Sequence, residues 1–253
     1  DALPISTDYV VLQSDITAIS AWTEEENYLK LHPDKCRLMF LSRKRSLSIT
    51  PPPLYINKGS QIRSANSVKY LWILLTSDLT WSTHITAICA KTRKLVGLLH
   101  RRFHNCSPNV KLTLYKAFIR PHVEYASQVW DPHLLKDVDL LEKTQKFALR
   151  VCYKNWSAHY SDLLELAHIP TLRWRRRKAK LTQLFKIVFG LTDCEMAPVK
   201  ERVLKYSSRK VNLIQLQELD AHSSQFKYSF FPHSISLWNN LSVNCDSDRK
   251  SVV

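Results

Sequence analysis

Three observations predict a mainly α-helical chain with a small β-hairpin, an α+β protein. Apolar residues recur at steps of three and four through most of residues 81–188, the spacing that lines one face of a helix. Pro51, Pro52 and Pro53 cannot continue a helix, and extended runs follow around 54–57 and 68–75, with Lys58 and Gly59 as the turn. Only three glycines are present, so no Gly-rich loop can cradle phosphates, which removes P-loop and dinucleotide-binding readings.

In chain order, Leu12, Ile16, Ile19, Trp22 and Leu29 mark a first amphipathic helix, with Thr7 or Asp8 near its cap and Pro33 ending it. Residues 36–41 read as a short strand closed by the basic Arg43, Lys44 and Arg45. After the hairpin, Trp81, Ile85, Ile88, Thr92, Leu95, Leu99 and Phe103 form one helical face, and Lys91, Lys94, Arg101 and Arg102 project from others. Ser107 and Pro108 supply an N-cap and a first-turn proline for the next helix. Its inward face is Leu112, Tyr115, Phe118, Ile119, His122, Ala126 and Val129, with a kink predicted at Pro121 and an end at Asp131-Pro132.

A further helix then turns Leu134, Val138, Leu141, Ala148 and Cys152 inward and Lys136, Lys143 and Arg150 outward. Residues 160–167 read as a short helix. The run Arg173-Trp174-Arg175-Arg176-Arg177-Lys178-Ala179-Lys180 follows Pro170 and leads into the apolar face of Leu181, Leu184, Phe185 and Val188. Residues 192–219 read as loop-rich, and the aromatics of 226–241 surround Pro232 and are predicted to pack on the helical layer.

The net charge of +15 makes a polyanion the natural partner. No apolar run approaches the length of a membrane-spanning helix, so no membrane partner is expected. The N-terminus has no signal pattern and begins at Asp1, so the chain reads as a fragment of something longer. The six cysteines, Cys36, Cys89, Cys106, Cys152, Cys194 and Cys245, include no CxxC pair and read as reduced intracellular thiols. His100, His104 and Cys106 lack a second cluster that would complete a metal site. Ser229, His233 and Asp246 form a triad only on paper, because nothing in the sequence fixes their geometry.

The segment IRPHVEYASQVWDP, followed by LEKTQKFALR, resembles the region after the polymerase domain in LINE-type retrotransposon reverse transcriptases. The matching residues are Arg120, Pro121, His122, Glu124, Tyr125, Trp130, Leu141, Glu142, Gln145, Ala148 and Arg150. The resemblance runs through about residues 12–241. Upstream, Trp22, Asn27, Leu29, Leu31 and Lys35 match a palm-end pattern, with His32 in place of an asparagine. Tyr70, Leu71, Ile73, Leu79 and Trp81 match the primer-grip hairpin, with Trp72 where the family has glycine. What this resemblance implies is a residual palm end at 1–80, a helical thumb at 81–157 and a basic helical C-terminal region with an aromatic tail at 158–253.

The same resemblance implies a piece of an RNA-directed DNA polymerase that keeps a thumb for RNA or a primer–template duplex. The family's Asp-Asp pair is absent, so the piece itself is predicted inactive, with Mg2+ expected only for the intact polymerase. No cofactor or small-molecule substrate is indicated. Candidate nucleic-acid contacts are Lys91, Lys94, Arg101, Arg102, Lys143, Arg173, Trp174, Arg175, Arg176, Arg177 and Lys178; Tyr70, Leu71, Trp72 and Ile73 form the grip-like hairpin. Basic side chains at helical spacing contact phosphates without reading sequence. Two placements of Trp174 stay open, stacked on a base or packed inward, and the basic run also fits a nuclear localisation signal. The alternative function is a basic helical module for structural or protein contacts.

Overall fold

The computed structural model describes residues 5–41, 52–56, 59–192 and 215–244. The protein is mainly α-helical with a few short strands, and it divides into two units, Asp1–Thr80 and Trp81–Val253. The basic triplet at 43–45, the Lys58 half of the turn, Cys194, Cys245 and Asp246 lie outside the described residues.

In the first unit, α1 (Ile5–Glu25) already contains Thr7 and Asp8, so neither caps it. Tyr9 and Ile16 pack against Leu54, Ile56 and Ile62. Leu12, Ile19 and Trp22, predicted inward, are exposed. The reason is Gln13, whose amide brackets the backbone of Tyr55: Nε2 donates to its carbonyl at 2.9 Å, and Oε1 accepts from its N–H at 2.8 Å. That bracket turns the helix so that its apolar stripe is only partly covered. Leu29 lies beyond the helix and is also exposed.

The strands are β1 (Arg37–Leu38), β2 (Tyr55–Ile56), β3 (Ser60–Gln61), β4 (Arg63–Ser64), β5 (Ser67–Tyr70) and β6 (Ile73–Thr76). β1 pairs with β4 in parallel, while β2–β3 and β5–β6 are antiparallel. The run predicted as one strand over 68–75 is therefore a hairpin folded back at Leu71 and Trp72, with Tyr70 opposite Ile73. The break was hidden because Leu and Trp are not turn residues.

In the second unit, α2 (Ser82–Arg102) and α5 (Leu135–Tyr153) run side by side in the same direction. Ser82 Oγ donates to Asp137 Oδ2 at 2.6 Å near their N-termini. His100 and Phe147 flank a single indole near their C-terminal ends. Between them lie Val96, Leu99, Ala148, Leu149 and Cys152, joined by Tyr115 and Ile119 and closed by Leu163 and Ala167 of α6 (Tyr160–Ala167). Burial pushes the Cys152 thiol up to about 12, as a core thiol rather than a reactive one.

α3 (Pro108–Leu114) begins after Ser107 as predicted, although the hydroxyl makes no capping hydrogen bond. Pro121 does more than kink the chain. It follows a π-helical turn, Tyr115–Ile119, in which Arg120 N–H reaches back to Tyr115 O, and it lies in a 3-10 turn, Arg120–Val123. A proline cannot donate, and its ring crowds the carbonyl four residues back, so the ladder re-registers around it. Tyr115, Ile119 and Val123 consequently form the buried column, whereas Phe118 and Val129 are exposed. Phe103 also falls outside the core, because α2 ends at Arg102.

α4 (Ser127–Trp130) and α7 (Leu172–Val188) pack together, and α7 also packs on α9 (Phe230–Asn244), which follows α8 (Ser224–Lys227). Leu184, Leu216 and Ile235 form a second core with Phe230, Phe231 and Trp238 around it. The tail thus lies on the helical layer.

Candidate nucleic-acid interface

The basic run occupies the first half of α7, and the helix divides it. Leu172, Arg176, Lys180 and Leu184, four residues apart, are each at most 1% exposed. Positions four apart share a helix face, so two cations stand in the same inward column as two leucines. Arg173, Trp174, Arg177 and Lys178 are exposed.

The inward cations meet carboxylates from the IRPHVEYASQVWDP segment. Arg176 Nε donates to Asp131 Oδ1 at 2.8 Å, and Lys180 Nζ lies 3.2 Å from Asp131 Oδ2. Lys180 Nζ also donates to His233 Nδ1 at 2.9 Å. Burial holds the Lys180 ammonium below its ordinary range despite the pull of Asp131. Burial, with Lys180 second, pushes His233 down to about 4. His233 is therefore a neutral acceptor for Lys180. Arg175 forms a two-pronged pair with Glu124 through Nε and Nη2, and that hydrogen bond keeps its guanidinium firmly protonated. Glu124 is shared with Arg120 at 3.4 Å.

The expectation that Arg175 and Arg176 contact nucleic acid is corrected accordingly. Arg176 is buried and Arg175 is committed to Glu124, so neither is free for phosphate. A buried cation needs a partner to offset its desolvation, and the two carboxylates of the segment supply it.

The LEKTQKFALR segment has a parallel role. Glu142 accepts the backbone N–H groups of Leu172 and Arg173 at 3.3 and 2.7 Å, placing a carboxylate on the N-terminus of α7, where Thr171 caps Trp174 N–H. Tyr160 donates to Glu142 at 2.6 Å, and Gln145 links Tyr160, the Pro170 carbonyl and Tyr115. The motif residues therefore fix where α7 starts and which face it presents. Their roles were not legible from single-helix periodicity; the leucine–cation column at 172, 176, 180 and 184 was the available signal.

What remains outward is basic. Lys91, Lys94, Arg101, Arg102 and Lys143 are exposed, α2 contains five Lys or Arg and no acidic residue, and no ion pair engages these side chains among the described residues. Lys91 lies towards His122, whose imidazole is held low by burial and then by Lys91. Lys143 stands one turn before Phe147, on the side of His100 and Trp156. The Trp174 indole is 51% exposed, with the Lys178 ammonium 5.2 Å from its ring centre. It faces outward.

In the first unit, Tyr70, Leu71 and Trp72 are exposed at the β5–β6 turn and Ile73 is buried. Leu71 has φ 44 and Trp72 φ 68. Two successive left-handed residues define the hairpin turn that favours Asn-Gly, which gives a glycine at 72 a conformational reason rather than one of close approach. Lys69 Nζ sits 3.9 Å over the Trp72 ring.

Among the described residues no group of three or more His, Cys, Asp or Glu could hold a metal ion. Asp131 and Glu124 are engaged by Arg and Lys. These residues do not fit the paired Mg2+ ions of a polymerase. No helix among the described residues is long and apolar enough to cross a membrane.

Fold and surface together define a mainly helical, strongly basic chain whose motif carboxylates are spent internally, while the cations of α2 and of the outward half of α7 are exposed; Lys111, buried against the His104 carbonyl, is an exception. Compared with known proteins, it is similar to a probable RNA-directed DNA polymerase from transposon X-element of Drosophila melanogaster, at 34% identity over 115 residues, 44% of this chain and 12% of that protein. It is also similar to the RNA-directed DNA polymerase from mobile element jockey of the same fly, at 29% identity over 170 residues, 64% of this chain and 18% of that protein. The chain is thus similar to the RNA-directed DNA polymerases of two mobile elements, and it spans less than a fifth of the length of these curated relatives. No family model and no solved structure matches it.

Proposed function

We propose that the chain is the rear part of such a reverse transcriptase: a palm end with a grip-like hairpin at 1–80, a thumb-like region at 81–157 and a basic C-terminal region at 158–253. Its own residues support binding of RNA or a primer–template duplex rather than polymerisation. The observation that carries this reading is the sorting of charge in the second unit. Glu124 and Asp131 are consumed by Arg120, Arg175, Arg176 and Lys180, while the cations of α2 and the outward half of α7 are exposed.

Exposed cations displace counterions from phosphates, so affinity falls as salt rises and depends little on sequence. Fluorescence anisotropy with a labelled RNA strand and a primer–template duplex across a salt series tests this. Steep, sequence-tolerant salt dependence is expected. Salt-insensitive binding, or none, would favour the protein-contact alternative.

A further inference from the structure

Trp156, which the charge pattern does not single out, lies in the connection between α5 and α6 and is 52% exposed. Its ring is held edge-on by His100 of α2, with centroids 6.5 Å apart at 83°, and against Phe147 of α5 at 6.1 Å. The connection is itself fixed. Asn155 Oδ1 accepts from Ser157 Oγ at 3.2 Å and Ala158 N–H at 3.1 Å, and Arg150 Nη2 donates to the Ala158 carbonyl at 3.3 Å. The indole is thus presented in one place, and little ordering cost attends a partner that lands on it.

The other half-exposed tryptophans differ. Trp72 and Trp174 each have a lysine ammonium over the ring, and Trp22 is followed closely by Glu24, Glu25 and Glu26, which repel phosphate. The stretches of chain that flank Trp156 and its His100 contact are basic. His100, Arg101 and Arg102 are exposed at the end of α2, and Lys154 is exposed two residues before the indole. No carboxylate occurs in the sequence between Glu142 and Asp162. A rigid, half-exposed aromatic face beside a basic helix end and a carboxylate-free stretch of chain matches an unstacked base carried on a phosphate chain better than it matches an apolar helix.

We propose that Trp156 is a stacking platform for an unpaired base of a single-stranded nucleic acid. This rests on the nucleic-acid reading above and adds a preference for exposed bases. The test compares a labelled oligouridine strand with an abasic strand of equal length at one salt concentration, using the full chain, Trp156→Ala and Trp156→Phe. The parent should bind the base-bearing strand roughly 5- to 150-fold more tightly. Trp156→Ala should bind both strands as weakly as the parent binds the abasic one, and Trp156→Phe should keep most of the difference.

Equal binding of both strands by the parent overturns the stacking site alone. Failure to bind either strand overturns the nucleic-acid reading with it. Because truncation also strips packing from His100 and Phe147, photo-crosslinking of a 5-bromouracil strand to the unaltered chain supplies a second readout. An adduct in the peptide containing Trp156 is expected, and adducts confined to other tryptophans contradict the proposal.

Discussion

Arg176 and Asp131 meet at 2.8 Å with side-chain exposures of 1% and 7%, joining α7 to the residue that follows α4. Both terminal nitrogens of Arg176 are buried without a hydrogen-bond partner, so Asp131 is its only ionic anchor among the described residues. Asp131→Asn would leave Arg176 and Lys180 without a counter-charge. The expected loss is about 3–5 kcal/mol, the usual consequence of breaking a buried pair from one side. Urea denaturation measures it, and a loss near zero would mean that the pair is solvated.

The neighbouring His233 gives a pH prediction. Its folded value of about 4 lies below its ordinary 6.5, so the unfolded chain binds more protons between those values and stability rises with pH there. The contribution is complete above about pH 6.5 and is lost as pH falls towards 4, worth up to about 3 kcal/mol. His233→Gln keeps an acceptor for Lys180 and should flatten the melting-temperature profile between pH 7 and 4. An unchanged profile would place the titration elsewhere.

Glu142→Ala removes the carboxylate from the start of α7 and leaves the Leu172 and Arg173 N–H groups and the Tyr160 hydroxyl without it. A loss of about 1–3 kcal/mol is expected. Hydrogen exchange should show the first turn of α7 opening more readily than α5; uniform protection would contradict this role.

At the β5–β6 turn, Trp72→Gly relieves a left-handed conformation that costs a non-glycine residue about 1–2 kcal/mol. It also removes an exposed cation–π contact with Lys69, worth about 0.5–1 kcal/mol. Stability should stay level or rise by up to about 1 kcal/mol. A loss above about 2 kcal/mol would show Trp72 to be a packing residue.

Helix existence was legible because long steps of three and four leave little choice: residues 160–167 were read from sequence as the helix observed, and α2 and α5 follow their predicted faces at Ile85, Thr92, Leu99, Leu141, Ala148 and Cys152. What escaped was decided by a partner distant in sequence in one place and by local backbone geometry that apolar spacing does not encode in two others. Gln13 bracketing Tyr55 rotates α1, the π turn before Pro121 shifts the inward column past Phe118, and a hairpin closes on Leu71 and Trp72 without turn residues. At the candidate interface, counting charge located α7 but not its division. Whether Arg176 faces phosphate or Asp131 depends on a carboxylate 45 residues away.

That division is the central claim, and a salt series on two variants tests it most directly. Arg173, Arg177 and Lys178 changed together to alanine should weaken RNA binding and flatten the log–log salt slope by about 2, at roughly 0.7 for each single-strand phosphate no longer neutralised, with an unchanged melting temperature. Arg176→Met should leave the slope as it is in the parent while shifting the melting temperature. The opposite assignment would contradict the account: an outward triple variant that binds with the parent's slope, and an Arg176→Met variant that loses slope without losing its fold.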